Sequence, residues 1–265
     1  NIHYVFRLIS ENPSKEASLA ILDALNHPND EIKEVVLNYV PQLNNISKIE
    51  IKKILVPLTG HKKLAVRKAA STALSRLDIP IDFNDPDIIF ILSAKVKYSY
   101  NERDEIVKLI ASYKNRVGII LNLIDDFFLE ISQAANKYSY EPNILSFVIC
   151  LLLKKCKGLD KEIAQSNEKS YKAKFIKFLE KKDIDFKVYA INIIAELKDP
   201  EFISILRSCL ESDHPYTRLA AIKGLTKITD NNLKADLIKF VEQGQDKNVR
   251  KVAIAALKSL AWQPN

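Results

Sequence analysis

Four histidines, three cysteines, a run of carboxylates and a cluster of cations are the side chains whose types and spacing could do chemistry. His3, His27, His61 and His214 are followed by Tyr4, Pro28, Lys62 and Pro215, so no histidine is followed directly by a carboxylate. They read as loop and capping residues, and no metal or other cofactor is expected. Cys150, Cys156 and Cys209 form no CxxC and no even framework, which fits small buried thiols in a reducing, cytoplasmic compartment. Asp125 and Asp126, with Glu130 beyond, are the candidates for general acid–base work. Adjacent helical side chains diverge by about 100°, so the pair reads instead as a solvated edge beside Phe127 and Phe128. Gly60, Gly118, Gly158, Gly224 and Gly244 are too scattered for a phosphate-cradling loop, and no GxSxG elbow occurs. With no catalytic constellation, the expectation is a protein that is not an enzyme. Lys62, Lys63, Arg67 and Lys68 form a cluster without an acidic neighbour in sequence, and with Arg218 they are the candidate partner-binding residues.

The elements that must position these residues are helices. Only 5 glycines and 10 prolines occur in 265 residues, which disfavours tight β-turns and barrels. Taking Ile32 as origin, offsets +3, +4, +7, +8 and +11 fall on Val35, Val36, Tyr39, Val40 and Leu43. The same offsets from Val66, Phe186, Thr217 and Val249 again select apolar or small residues, one face of a helix about three turns long. Position +1 is basic every time: Lys33, Arg67, Lys187, Arg218 and Arg250. Position −3 is Asn29, Lys63, Asp183, His214 and Asp246, a cap-type residue in three of the five. Amphipathic partners precede four of these helices, over Ser14 to Asn26, Ser47 to Thr59, Pro200 to Glu211 and Asn231 to Gln243.

The stretches HPNDEIKEVVLNYV, HKKLAVRKAASTAL, KDIDFKVYAINII, DHPYTRLAAIKGL and DKNVRKVAIAAL resemble the second helix of HEAT repeats, of the armadillo-like, PBS-lyase type. That resemblance implies an all-α fold, a right-handed α-α superhelix or solenoid with degenerate central repeats. It implies a structural ladder in which Arg250 pairs with Asp246 and Lys187 with Asp183, Lys33 standing in the same column. Lys63 and His214 depart from the acidic −3 residue, and Arg218 has Asp213 as its nearest carboxylate. The adjacent His-Glu pairs of HEAT-like iron hydroxylases do not occur. The signature fades between Ile79 and Lys182, where only helical periodicity remains, with helices expected from Asp85-Pro86, from Asn101 or Glu102, from Arg116 to Lys137 and from Pro142 to Lys157.

One solenoid over residues 1–265 is therefore expected, with N-terminal repeats (1–78), a divergent helical middle (79–182) and C-terminal repeats (183–265). The likeliest break is the KYSYE loop at 137–141, and Trp262 is expected to cover the end of the last helix. Function should be binding: a scaffold or adaptor that takes a protein partner on its concave face, an acidic one given the net charge of +7. The alternatives are nucleic-acid binding, including the HEAT-like DNA glycosylases, and a soluble regulatory domain of a larger, membrane-anchored protein. The longest apolar run, Ile144 to Leu153, is too short to insert in a bilayer. Methionine is absent even at position 1, so the sequence is either a piece of a longer protein or one from which methionines have dropped out.

Overall fold

In the computed structural model, the described residues are 2–11, 14–133, 141–166, 170–180, 186–228, 232–243 and 246–261. Among them every regular element is helical, and the fold is all-α with HEAT-like helix pairs. Two compact units, residues 1–122 and 123–265, divide within one helix. The 137–140 part of the expected break, Asp183 and Trp262 lie outside the described residues.

The first unit contains α1 (Ile2–Glu11), α2 (Lys15–Asp23), α3 (Asp30–Leu37), α4 (Lys48–Leu58), α5 (Leu64–Arg76), α6 (Ile88–Tyr98) and α7 (Arg103–Ser112). α8 (Arg116–Gln133) carries the chain into the second unit. The helix boundaries follow side-chain chemistry. Ser14 and Ser47 sit in extended backbone and accept the Ala17 and Ile49 N–H groups at 3.1 and 3.3 Å, satisfying donors a helix start leaves open. Asn29 does the same for Glu31 N–H at 2.8 Å. Pro41 stands in a short 3₁₀ turn (Val40–Gln42) that ends the α3 segment, and Pro57 falls in the last turn of α4. α5 packs on α3, α4 and α6, and their apolar faces (Val36, Leu37, Ile51, Leu55, Val66, Ala70, Leu74, Ile91) form one continuous core.

The second unit contains α9 (Glu141–Lys155), α10 (Leu159–Gln165), α11 (Ser170–Glu180), α12 (Lys187–Leu197), α13 (Ile203–Leu210), α14 (Pro215–Ile228), α15 (Leu233–Gln243) and α16 (Lys247–Ala261). α9, α12, α14 and α16 pack in that order as one layer. α11 and α13 pack together, and each also contacts its neighbour in that layer. This is the helix-turn-helix stacking of a repeat array. Small residues allow the close approach: a Cβ on Gly224 would stand 3.3 Å from Leu206 Cδ1 and 3.6 Å from Ala195 Cβ. Phe127, Phe128, Phe175, Phe178 and Phe202 meet mostly edge to face at 4.8–6.5 Å and weld α8 to α11 and the start of α13. Gly158, at φ +80°, makes the left-handed turn between α9 and α10 that side chains disfavour.

One expectation is corrected here. Asp125 is exposed and paired with Lys174, but Asp126 and Glu130 are buried at 6 and 4 % exposure, so this is no solvated edge. They lie one turn apart on the inward face that carries Phe127, a placement that amphipathic reading of charged residues does not anticipate.

Candidate functional site: basic helices and the turns that hold them

Three of the second helices, α5, α14 and α16, carry cations and no carboxylate, whereas α3 is mainly acidic and α12 carries one cation and one carboxylate. α14 contains Arg218, Lys223 and Lys227 and no acidic residue; α16 contains Lys247, Arg250, Lys251 and Lys258 and none either. α14 and α16 pack side by side. Lys223, Lys247, Arg250, Lys251 and Lys258 are exposed. α5 has the same bias, with Arg67, Lys68 and Arg76 and no acid.

The residues singled out from sequence take different places. Lys62 and Lys63 are exposed and Arg67 and Lys68 half-buried. Lys62, Arg67 and Lys68 each interact with another group of the protein. Arg218 turns onto the backbone: its Nη1 donates to the Ser212 carbonyl at 2.6 Å, where Asp213 was the carboxylate in view. Lys33 Nζ meets Asp30 at 3.4 Å, inside its own helix rather than at position −3. Asp246 caps α16, its Oδ1 accepting from Asn248 and Val249 N–H at 2.8 and 2.9 Å, and Arg250 is exposed. Capping, not an Arg–Asp ladder, is what that −3 carboxylate does here, because two unpaired backbone donors lie within its reach. Lys187 is half-buried, and its expected partner Asp183 falls outside the described residues.

His27 and His61, at one loop position, behave alike. Each Nδ1 accepts the backbone N–H two residues on, from Asn29 at 3.0 Å and from Lys63 at 3.1 Å. His61 Nε2 then lies 3.6 Å from Asp30, which ties the second pair to the first.

The contacts that join layers came from residues the sequence did not flag. Lys52 on α4 is 8 % exposed; its Nζ donates to Asp85 at 2.6 and 2.8 Å and stands 3.2 Å from Asp87. Lys172 on α11 is 7 % exposed; its Nζ stands 2.6 Å from Asp199 and donates to Glu201 at 2.8 Å. The acceptors are the same motif, Asp85-Pro86-Asp87 and Asp199-Pro200-Glu201. In each, the first Asp accepts the N–H two residues on, at 2.9 and 3.0 Å. Burial by itself would raise the Asp85 carboxyl and lower the Lys52 ammonium. The hydrogen bonds and charge of the pair outweigh it, so Asp85 is lowered and Lys52 raised. Lys172 is likewise raised, its two carboxylates overcoming burial. Within the layer of second helices, Glu196 on α12 takes Lys154 of α9 at 3.3 Å and also pairs with Lys227 of α14. Arginines that open a helix are a further signal that could have been read. Arg103 donates to the Val96 and Lys97 carbonyls at 2.8 and 2.7 Å, and Arg116 to Ala111 at 2.7 Å. A cation is unfavourable at a helix N-terminus unless it reaches back to the preceding C-terminus.

The thiols are not set up as nucleophiles. Burial chiefly, with Glu196 nearby, pushes Cys150 up to about 11, and burial raises Cys209. Among the described residues, no helix is long and apolar enough to cross a membrane.

No curated protein matches the sequence. A family model described as HEAT repeats matches residues 173–258, the span from α11 to α16. The paired helices, the small residues between them and the caps of the second helices fit that match, and over this segment the chain is similar to HEAT repeats.

Proposed function

We propose that the chain is a non-catalytic interaction module, a scaffold or adaptor that binds an acidic segment of a partner protein on its second helices. The carrying observation is the charge of α14 and α16: seven basic residues and no acidic one on two packed helices, six of the cations exposed, of which Lys227 is paired with Glu196. HEAT repeats generally mediate protein–protein contact, and a row of rigid helices offers a long surface for an extended ligand. Exposed cations on a fixed backbone raise the encounter rate with an acidic segment and select it by charge. Crosslinking of the whole chain in its source extract should capture a partner. Charge reversal by Lys223→Glu with Arg250→Glu and Lys251→Glu should abolish that capture; unchanged capture would remove this surface from the account. Lys63→Glu with Arg67→Glu tests the α5 region in the same way.

The same cations could track a phosphate backbone. Under that second reading, binding to duplex or single-stranded nucleic acid would fall steeply with salt, by roughly one power of ten or more between 50 and 200 mM for a few phosphate contacts. Absence of binding at low salt disposes of it.

A further inference from the structure

Of the four buried lysines, Lys52, Lys95, Lys97 and Lys172, Lys95 has no counterpart to the carboxylates that hold Lys52 and Lys172. Lys95 on α6 is 9 % exposed, and its Nζ donates to the Leu77 carbonyl at 3.2 Å. Among the described residues no carboxylate lies within ion-pair distance of it. An ammonium has three donors and is costly to bury with a single neutral acceptor. Lys95 lines an open cleft of about 530 Å³ between the end of α5 and the turn after α6. That volume is in the range of ligand sites, several times larger than a water needs. Arg76 stands on the rim as a second cation, and Tyr98 and Tyr100 form a wall. The wall is held in place: Lys97 Nζ lies 5.1 Å from the Tyr98 ring centroid, and the Arg103 guanidinium lies 4.5 Å from that of Tyr100. Asp78 and Glu102 also line the cleft; Asp78 projects to solvent and pairs with Lys48 at 3.6 Å.

We propose that this cleft receives the side-chain carboxylate of a peptide segment from a partner protein, with Lys95 as the ammonium that binds it. Two observations select a carboxylate. The other two lysines compared, buried to the same degree, are matched by Asp and Glu. A phosphate dianion would meet Asp78 and Glu102, whereas a single negative charge flanked by basic residues would find those rim carboxylates favourable. The inference rests on the interaction reading above but names a different site and a separate test.

The probe is a capped pentapeptide with a central glutamate between two lysines, titrated into the full chain and followed by NMR shifts. A saturable response is expected, at least tenfold weaker for the glutamine counterpart and for Lys95→Met. Tyr100→Ala, at an exposed wall position, should also weaken binding and serves where Lys95→Met fails to fold, which its thermal melt reports. Equal binding of the two peptides, undiminished binding to Lys95→Met or Tyr100→Ala, no binding, or preference for inorganic phosphate each overturns the proposal. A chain that captures a protein partner yet ignores the peptide loses this inference alone. One that binds the peptide yet captures no partner loses the interaction reading alone.

Discussion

At the scale of single residues, this protein buries ammonium groups where most proteins place aliphatic ones. Lys52 and Lys172 remain charged there because two carboxylates and a capped turn receive each of them. Lys52→Met would leave Asp85 and Asp87 facing each other without a counterion, a loss on the order of 3 kcal/mol at neutral pH. The sign with pH follows from the shifts. Asp85 is lowered in the fold, so its contribution is complete above its ordinary value of 3.8 and disappears as pH falls through the lower folded value. Lys52 is raised, so its contribution is complete below 10.5 and disappears only as pH rises past its folded value. Denaturant titrations should therefore show the wild-type advantage over Lys52→Met at pH 7 shrinking as pH falls below the ordinary Asp value of 3.8. A difference that does not change with pH would mean that packing, not charge, is responsible.

At the scale of elements, the tight crossing of α14 sets a limit on side-chain size. Gly224→Ala brings a methyl to 3.3 Å from a terminal Leu206 carbon that can shift, while alanine favours the helix by about 1 kcal/mol; the net change should be near zero. Gly224→Val has no such room against Ala195 and Ile191 and should destabilise by about 1–3 kcal/mol. Thermal melts of the two variants check the contrast, and equal stability would show a looser crossing. Gly158→Ala forces a side chain into the left-handed region and should cost about 1 kcal/mol, read by the same melts. The apolar register was enough to locate α2 to α5 and α12 to α16, since caps such as Ser14, Ser47 and Asn29 are local signals, although α3, expected to run on to Leu43, ends at Leu37 before the turn at Pro41. α10 and α11 were not separated in sequence: α10 has seven residues, too few for a periodicity to show. The −3 and +1 columns were visible, but their partners were not. Whether Asp246 caps a helix or pairs with Arg250 depends on which donors a three-dimensional turn leaves open. The Lys95 cleft was illegible because it joins residues 75–78 to 95–102, which lie far apart in sequence.

At the scale of the whole molecule, net charge and its placement govern encounter. The chain is at +7, and α14 and α16 concentrate seven cations with no acid of their own, of which Lys227 meets Glu196 of α12. Partner association should therefore slow with added salt while dissociation changes less, because screening acts on approach at distances near 10 Å. Stopped-flow or surface measurements at 50 and 300 mM salt distinguish this from a contact dominated by apolar burial, whose on-rate would barely move.

The meeting of Lys172 with Asp199 and Glu201 gives the C-terminal array a grain. Trimming the chain just after Leu197 would remove both acids, and the Phe202 ring that meets Phe175, and leave the Lys172 ammonium without its carboxylates. Trimming just before Asp199's own layer from the other side would leave carboxylates at a new edge, where Glu201 is already open to water. Any foreign repeat grafted onto α11 must therefore bring its own Asp-Pro-acid turn to receive Lys172.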